Sequence, residues 1–395
     1  MKGSPDVVVD VAILGGGIAG LWLLDRLQHH GFSAALFEAD ALGAGQSVAS
    51  QGIIHGGTKY TLGLALDTAV KELREMPATW SDSLQGSGGP DLSRARVLSP
   101  RTYMWVPRQF GGGLLGFFSR IVMRSRVRGL PRSEWPDGLH SHSAAGSVYA
   151  LDEFVLDIPS VLEALRAAHR QRIRRIPAPE HLSFSDGEGC LRVGDIVVGA
   201  QRFVLAAGAG NEQLLLRAGV DGVRQQRRPL HQVLVAGMKQ PLYVHCVGKS
   251  ARPLATITAH PGSAGDYVWN VGGLVAEEGV SESEAQLVQR ARRELPRLFP
   301  AADFGNARWA TFRIDRAEGA IAGGRRPSGP LVEARDRFIV AWPTKLALAP
   351  ALSDRVVRVL HEQQLRPGAS EIEALTALAE PEVARPPWEG IEAWS

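Results

Sequence analysis

Apolar runs separated by turns predict a strand, a helix and a second strand within the first 38 residues. A mostly β-branched run from Val7 to Leu14 leads into the glycine-rich residues 15–20, and a helical pattern follows over residues 21–30. Gly31 breaks that pattern, and a second apolar run ends on Glu38. Continuous apolar runs of this kind are typical of parallel strands buried on both faces. The pattern therefore predicts a β-turn-α-β unit.

Three glycines and one acid give this unit the features of a dinucleotide-binding fingerprint. Gly15 permits the tight turn, Gly17 lets the backbone approach a pyrophosphate, and Gly20 lets the helix pack closely on the strand. The helix start at Ile18–Ala19 presents free N–H groups and a positive dipole end to phosphates. Glu38 stands where a carboxylate accepts hydrogen bonds from both ribose hydroxyls, and an acid there argues against a 2′-phosphorylated ribose.

Beyond residue 38 the pattern predicts both helices and strands. Helices are expected at about residues 62–84, 160–172, 281–298 and 352–363, and strands at 97–107, 191–198, 202–207 and 338–342, with a strand meander over 233–275. A strand-rich block inside an α/β frame is hard to explain as two consecutive domains. The order therefore suggests a discontinuous nucleotide domain that is interrupted twice.

We predict an α/β protein of two domains (α+β), in which a Rossmann-like nucleotide domain is joined to an antiparallel-sheet substrate domain. The nucleotide domain is expected to comprise residues 1–75, 150–228 and 305–380, the substrate domain residues 76–149 and 229–304, and a C-terminal tail residues 381–395. The chain after Pro367 is rich in proline and is expected to pack loosely.

Composition narrows the class of protein further. The 395-residue chain is 45% hydrophobic and 22% charged, and its net charge of +3 implies no nucleic acid or other polyanion as partner. Cys190 and Cys246 make neither a disulfide framework nor a metal site, so a reducing cytoplasm is the expected location. The N-terminal residues lack the apolar core of a signal peptide, and no apolar run reaches the roughly 18 residues of a spanning helix.

Residues 110–128 combine glycines, apolar residues and arginines, and two interpretations are open. An amphipathic helix of this composition can lie on an anionic membrane, which would place the protein peripherally at the inner face and suit electron transfer to a quinone. The sequence favours instead a cap helix of the substrate domain. Residues 111–116 imitate a second glycine fingerprint, but no clean buried strand precedes them, so electrons are expected to enter from a small substrate.

Four separated segments resemble the FAD-dependent D-amino-acid oxidase superfamily, which includes glycine and sarcosine oxidases, glycerol-3-phosphate dehydrogenases and L-2-hydroxyglutarate dehydrogenases. The segments are residues 7–38, residues 43–57, residues 204–209 with 228–234, and residues 313–350. Together they span nearly the whole chain in the family's order. The Gly-Ile-Ile-His at residues 52–55 is most similar to the hydroxyglutarate and glycerol-phosphate branches.

The resemblance implies FAD as the cofactor and assigns most of its binding residues. The fingerprint residues through Glu38 and Ala39 would bind the adenosine and pyrophosphate, and Gly45, Gln46, Ser47, Gln51 and Gly52 would lie along the path from pyrophosphate to ring. Ala207 and Gly208 match small residues that leave room on the adenine side. Thr344, Lys345 and Leu346 match the turn that faces the N1–C2=O edge of the flavin. No cysteine or histidine matches a covalent linkage, so FAD is expected to bind non-covalently.

The resemblance also implies three catalytic residues. Arg313 matches an arginine that binds the substrate carboxylate in glycine-oxidase-like members, and a structural ion pair is the other interpretation. Lys345 would stabilise negative charge at the flavin edge and help to orient the substrate anion. His55 would face the flavin and accept a hydroxyl proton as hydride leaves.

These expectations describe an FAD-dependent oxidoreductase, either a dehydrogenase or an oxidase. It would oxidise a small anionic 2-hydroxy acid or similar CH–OH donor by hydride transfer to flavin N5. An amino-acid or secondary-amine oxidase or dehydrogenase is the first alternative, and a non-catalytic FAD-binding subunit of a dehydrogenase complex is the second. The choice between O2 and a quinone as acceptor, and the oligomeric state, stay open at this point.

Overall fold

The computed structural model describes residues 4–56, 68–111, 127–140, 145–185, 189–248 and 252–395. Its strands are β1 Val7–Leu14, β2 Ala34–Glu38, β3 Val97–Ser99, β4 Thr102–Pro107, β5 Val127–Gly129, β6 Gly146–Leu151, β7 Val155–Leu156, β8 Ile173–Arg175, β9 Leu182–Ser185, β10 Cys190–Val193, β11 Ile196–Leu205, β12 Gln225–Met238, β13 Val244–Val247, β14 Pro253–Pro261, β15 Tyr267–Gly272, β16 Arg308–Gly319, β17 Leu331–Arg335 and β18 Phe338–Trp342. Its α-helices are α1 Ile18–His29, α2 Thr68–Leu84, α3 Arg108–Gly111, α4 Ile158–Ala168, α5 Asn211–Arg217, α6 Leu274–Glu278, α7 Glu284–Leu298 and α8 Ala349–Glu362.

The first sheet forms around the predicted fingerprint and runs in the order β17-β18-β11-β1-β2-β8. β1 pairs in parallel with β2 and β11, and β11 pairs in parallel with β18, so the carboxyl ends of these strands meet at one edge. Leu21 and Leu24 of α1 and Leu352 of α8 are buried in one core with the sheet. Parallel sheets of this kind bind ligands outside the carboxyl ends of their strands. The α/β fold class predicted from the sequence is confirmed.

The second sheet is mostly antiparallel and runs in the order β16-β12-β15-β14-β13-β4-β6-β5. Side chains alternate between the two faces of a sheet along each strand. One face is apolar, and Val233 and Val271 share its core with Leu287, Ala291 and Leu295 of α7. This antiparallel sheet corresponds to the predicted strand meander and extends it on both sides.

Several predicted domain boundaries fall inside elements of the structure, and those at residues 149/150 and 228/229 divide β6 and β12. β16 lies in the range assigned to the nucleotide domain, yet it pairs with β12 of the second sheet from Arg308 to Gly319. The boundary at residue 75 divides α2, whose Leu73, Met76 and Trp80 are buried together in the core of the first sheet. The other boundaries stay predictions.

Two predicted helices fall partly outside the described residues. The helix expected over 62–84 is present as α2 from Thr68 onward, and residues 62–67 lie outside the described residues. Most of the segment 110–128 also lies outside them, so its membrane-surface and cap-helix interpretations both stay predictions. Its last residues belong to strand β5, so the expected helix does not extend to residue 128. In the described part of the chain, no helix is long and apolar enough to cross a bilayer.

The C-terminal tail is closely packed, which corrects the expectation of loose packing. Backbone hydrogen bonds join Leu42 to Glu382 and Ala384, one turn after β2. Further along, Trp388 stacks on His260 of the second sheet, with ring centroids 3.9 Å apart. The tail therefore connects the surroundings of the nucleotide fingerprint with the second sheet.

Candidate active site

The turn after β1 has the close contacts that its glycines predict. Gly15 has a φ of +116°, and a Cβ built there would overlap the backbone of Ala207. A Cβ on Gly20 would overlap the carbonyl oxygen of Gly15. Gly17 is the N-cap of α1, and no side chain of its own caps the helix. The glycines therefore bring the start of α1 against the carboxyl edge of the sheet, as pyrophosphate binding requires.

Glu38 is fixed beside this turn by two backbone groups. Its Oε2 accepts a hydrogen bond from the Gly16 N–H at 2.5 Å, and its Oε1 accepts one from the Asp40 N–H at 2.9 Å. The carboxylate thus stands at the end of β2 and next to the start of α1, while Ala39 lies at the surface. This is the place of the ribose-binding acid in a β-turn-α-β unit.

Residues 43–55, which follow β2 and which we call the cofactor stretch, return to the start of α1. Ser47 Oγ accepts a hydrogen bond from the Ile18 N–H at 3.0 Å. A Cβ built on Gly208 would come within 3.2 Å of Gln46 Nε2, whereas a Cβ on Gly45 would meet no atom within 4 Å. The structure therefore brings Gln46 next to Gly208, just after β11, and Ser47 to the start of α1. It leaves open space beside Gly45.

Gln51 and Gly52 join this stretch to other elements. Gln51 Nε2 donates to the carbonyl oxygens of Thr256 at 2.9 Å and Asn270 at 3.0 Å, so its amide group is held by the second sheet. Gly52 has a φ of +66°, and a Cβ there would overlap the carbonyl oxygen of Leu156. Gln51 therefore positions the stretch through its side-chain amide nitrogen.

The face of the second sheet opposite α7 is polar where the stretch crosses it. His245, Thr256 and Asn270 lie on this face, because His245 is paired with Thr256 and the two share a hydrogen bond of 2.9 Å, and Asn270 is paired with Thr258, two residues from Thr256. Gln232 belongs to the same face, and its Nε2 donates to the Ala49 carbonyl oxygen at 3.4 Å. We call this surface the polar face. It is the surface of the second sheet that meets the cofactor stretch.

Several buried polar atoms on the polar face have no hydrogen-bond partner within the described structure. They are Nδ2 and Oδ1 of Asn270 and Oε1 of Gln232. The two side chains are between 0% and 4% exposed. A buried polar group without a partner costs about 1–3 kcal/mol, so such atoms indicate a bound polar group. Together with the glycine contacts and the Glu38 carboxylate, they fit a polar cofactor or substrate held between the sheets.

His55 lies in a buried cluster with two residues that the sequence did not indicate. His55 Nδ1 is 3.2 Å from Glu153 Oε2, and His245 Nε2 is 3.7 Å from the same oxygen. The Glu153 and His245 side chains are 1% exposed, whereas that of His55 is 27% exposed. We call these three residues the His–Glu–His cluster. A pairing of residues 98 positions apart in sequence cannot be read from spacing, and no motif marked Glu153 or His245.

The turn after β18 carries the predicted Lys345 and packs on helix α2. Thr344 has a φ of +60°, a conformation that β-branched residues rarely adopt, and such backbone strain is often found at functional sites. Trp80 of α2 donates to the carbonyl oxygen of Ala347 at 3.0 Å, two residues before α8 begins. A Cβ on Gly56 would lie 3.3 Å from Pro77 of the same helix. Helix α2 therefore connects the turn that carries Lys345 and Leu346 with the residue after His55.

Arg313, which the resemblance predicts to bind the substrate anion, does not lie on the polar face. It is exposed, and its guanidinium donates to the carbonyl oxygens of Val280 at 2.9 Å and Glu282 at 2.6 Å. Arg313 is paired with His231, which bonds Gly279 on the same side of the sheet. Since neighbouring side chains of a strand point to opposite faces, Arg313 points away from Gln232 and the cofactor stretch.

Arg316 of β16 lies on the side of the polar face. It is paired with Arg228, which is four residues before Gln232 on β12 and therefore on the same face of the sheet. Burial, together with the charges of Arg228 and Arg326, lowers the pKa of Arg316 to about 10, so it stays charged at neutral pH. Its Nε is buried and has no hydrogen-bond partner among the described residues, while its Nη2 lies 3.7 Å from Glu277.

Comparison with known proteins identifies the family. Residues 10–349 match the family model described as DAO, FAD dependent oxidoreductase. A probable FAD-dependent oxidoreductase of Pseudomonas aeruginosa, PA4991, is 43% identical over 382 residues, which cover 96% of this chain and 97% of that protein. The chain therefore belongs to the DAO family of FAD-dependent oxidoreductases, and the predicted family, enzyme class and cofactor are confirmed.

Solved structures agree in fold. The crystal structure of PA4991 has a TM-score of 0.85 at 37% identity and covers 100% of both chains. Glycine oxidase from Geobacillus kaustophilus has a TM-score of 0.65 at 18% identity, covering 93% of this chain and 98% of that one. The dithionite-reduced L-α-glycerophosphate oxidase of Mycoplasma pneumoniae, with FAD bound, has a TM-score of 0.64 at 16% identity, covering 90% and 95%. At these identities the last two show the fold alone.

Proposed function

We propose that this FAD-dependent oxidoreductase oxidises a small anionic CH–OH donor, such as a 2-hydroxy acid, to the corresponding carbonyl compound. The substrate would lie between the polar face and the cofactor stretch, with its hydroxyl at His55 Nε2. The observation that carries this proposal is the contact of 3.2 Å between His55 Nδ1 and the buried Glu153 carboxylate. A carboxylate at one nitrogen of an imidazole favours a proton there and leaves the other nitrogen as a base.

The choice of an alcohol over an amine follows from proton chemistry. An alcohol carries a hydroxyl proton that must leave as the carbon loses hydride, and a positioned base accelerates this by about 10²–10⁴-fold. A neutral amine already has the lone pair that forms the imine, so its oxidation depends less on such a base. When bound, FAD accepts the hydride and its two electrons. His55 takes the hydroxyl proton, and the C=O double bond forms from the O–H electron pair.

The anion of the substrate would be bound by cationic groups near the ring. Lys345, in the turn before α8, keeps the orienting role that the resemblance implies. Arg316 replaces Arg313 in this proposal, because it lies on the side of the polar face and its Nε is directed at no protein acceptor in the described structure. A partly buried guanidinium suits a planar carboxylate or a phosphate.

Amine oxidation is the second candidate, and the names of the sequence and structural relatives include both reaction types. A glycerol-3-phosphate dehydrogenase of Staphylococcus epidermidis is 29% identical over 136 residues, which are 34% of this chain and 22% of that protein, and glycine oxidases share the fold. No described residue specifically favours an amine over an alcohol, whereas the His55–Glu153 contact favours an alcohol.

Anaerobic reduction of the bound flavin tests the proposal. The FAD-loaded protein is mixed with 2-hydroxy acids, glycerol 3-phosphate, amino acids and N-methyl amines, and the loss of oxidised-flavin absorbance is followed in time. We expect rapid bleaching by one or more CH–OH donors and at least a hundredfold slower bleaching by that donor in the His55→Asn variant. Bleaching by amines alone, or unchanged reduction in His55→Asn, contradicts the proposal.

A further inference from the structure

The His–Glu–His cluster is assembled from three separate parts of the chain. His55 ends the cofactor stretch, Glu153 lies in the loop between β6 and β7, and His245 is on β13. The Ile54 N–H donates to the Phe154 carbonyl oxygen at 2.9 Å, directly beside His55 and Glu153. The backbones that carry the base and the carboxylate are therefore joined, so the contact between the two side chains does not depend on flexible loops alone.

A second anchor holds the far side of the cluster. His245 Nδ1 is 2.9 Å from Thr256 Oγ1, on the neighbouring strand, and His245 Nε2 faces Glu153 Oε2 at 3.7 Å. His245 is thereby held at Nδ1 by Thr256, while its Nε2 faces the carboxylate. The rings of His55 and His245 lie 5.8 Å apart on either side of the carboxylate. Both imidazoles approach the same oxygen of Glu153.

Burial decides which member can meet a substrate. Glu153 and His245 are almost fully buried, and the partly exposed His55 is the outermost member. A buried carboxylate next to an imidazole stabilises the imidazolium and orients its ring, which is the role of the acid in catalytic triads. The carboxylate has this effect only while its own oxygen is held in place, and His245 is positioned to do that.

We propose that Glu153 and His245 are positioning residues that set the tautomer and basicity of His55. Glu153 Oε2 accepts the His55 Nδ1–H, so His55 Nε2 carries the lone pair that takes the substrate hydroxyl proton. His245, held by Thr256, points its Nε2–H toward the same carboxylate oxygen at 3.7 Å. No proton leaves Glu153 or His245 in this step. The inference rests on the proposed function of His55 as base and extends it to two residues that do not contact the substrate.

The same three side chains could instead hold a cation, and the test must separate the two cases. Their ligand atoms all lie within 4.8 Å of one another, and two histidines with one carboxylate are a known ligand set of zinc. We call the positioning of His55 by Glu153 and His245, with no proton leaving either residue, the relay. The relay is favoured because His55 Nδ1 and Glu153 Oε2 are within direct hydrogen-bond distance. A cation bound at His55 Nδ1 would leave its Nε2 protonated and unable to act as the base.

The decisive experiment is a double-mutant cycle of Glu153→Gln and His55→Asn on the FAD-loaded protein. With the donor found by the reduction assay, Glu153→Gln is expected to slow anaerobic flavin reduction by at least tenfold at pH 7, with less than a threefold change in the substrate concentration at half-maximal rate. In the His55→Asn background, the same change is expected to have almost no further effect, because the carboxylate acts through the imidazole. Glu153→Asp should recover part of the rate.

The second readout is the pKa of His55 itself, measured by NMR on histidine-labelled holoprotein and assigned by the signal lost in His55→Asn. Glu153→Gln should lower this pKa by about one unit or more, and His245→Gln should lower it by less. Asp157→Asn is the matched control, because Asp157 is a buried acid four residues away that pairs with Arg96. It should leave both the pKa of His55 and the reduction rate unchanged.

The outcomes separate the relay from the function on which it rests. Unchanged reduction in His55→Asn overturns the base and the relay together. Slow reduction in His55→Asn with additive effects of Glu153→Gln, or an unchanged pKa of His55, overturns the relay alone. One equivalent of a divalent metal in wild-type protein, lost in Glu153→Gln and His245→Gln, also overturns it and assigns the cluster to a cation. If Glu153→Gln fails to fold, Glu153→Asp and His245→Gln carry the same measurements.

Discussion

Arg313 and Arg316 project from opposite faces of the same strand. β16 pairs with β12 without interruption from Arg308 to Gly319, so residues three positions apart must point to opposite sides. Arg313 caps carbonyl oxygens between α6 and α7, whereas Arg316 lies on the side that carries Gln232. An arginine at the position matched by family resemblance is therefore present but turned away, and another arginine is placed toward the candidate site.

The two arginines give a matched pair for mutagenesis. Arg316→Met is expected to raise the KM for an anionic donor by about tenfold or more, since losing one charge-assisted contact corresponds to about 1.5–3 kcal/mol. Arg313→Met should change KM by less than twofold, because its hydrogen bonds go to backbone carbonyls outside the candidate site. Steady-state kinetics with the donor from the reduction assay measures both, and thermal unfolding checks that both variants are folded. Equal KM values for the two variants would remove Arg316 from the site.

Glu38 provides a test of cofactor recognition. Because its carboxylate is fixed by the Gly16 and Asp40 N–H groups, it is already oriented before a ribose binds. Glu38→Ala is expected to weaken FAD binding by about tenfold or more, measured by fluorescence titration of apoprotein. Asp40→Ala is the control, because its side chain is exposed and its contact to Glu38 comes from the backbone. Equal FAD affinities of the two variants would show that Glu38 does not contact the ribose.

The parts of the fold that could be predicted are those determined by residues close together in the sequence. The fingerprint required only a strand, a turn, a helix and an acid in close succession, and the structure places all of them as expected. The strand Phe338–Trp342 was likewise found with its predicted bounds. Periodicity was sufficient here because buried parallel strands are continuous apolar runs.

The parts that could not be predicted depend on register and on distant contacts. The orientation of Arg313 follows from the pairing of β16 with β12, which no motif records. Glu153 and His245 meet His55 only after the second sheet has folded against the cofactor stretch. The prediction for the C-terminal tail was wrong for a related reason. Its prolines suggested loose packing, but Trp388 stacks on His260, which lies 128 residues earlier in the chain. Such tertiary contacts override local composition.

We predict that FAD is released intact when the protein is denatured. Cys246 is fully buried on β13, where burial raises the pKa of its thiol, and it points toward the apolar core with α7. Cys190 lies on β10 at the far side of the first sheet. Neither thiol is placed to form a flavin linkage. Acid precipitation should leave FAD in the supernatant, and flavin that stays attached to a peptide containing His55 would contradict non-covalent binding.

The last prediction concerns the effect of pH on stability through His260. This imidazole is buried under Trp388, and burial lowers its pKa from 6.5 to about 3. Below pH 6.5 the unfolded chain binds a proton at His260 that the folded protein does not bind, so this residue makes the protein less stable as the pH falls. The free energy of unfolding should therefore decrease by up to about 1.4 kcal/mol per pH unit from this site, between roughly pH 6 and pH 4.

His260→Phe isolates this contribution, because it keeps a ring against Trp388 and removes the titrating group. We expect the melting temperature of His260→Phe to decline less steeply than that of wild type between pH 7 and pH 5, as followed by thermal denaturation in the FAD-loaded state. His29→Phe, at an exposed position on α1, serves as the control and should keep the wild-type slope. Parallel curves for wild type and His260→Phe would mean that His260 binds a proton equally well in the folded protein, and thus that the tail does not seal it from water.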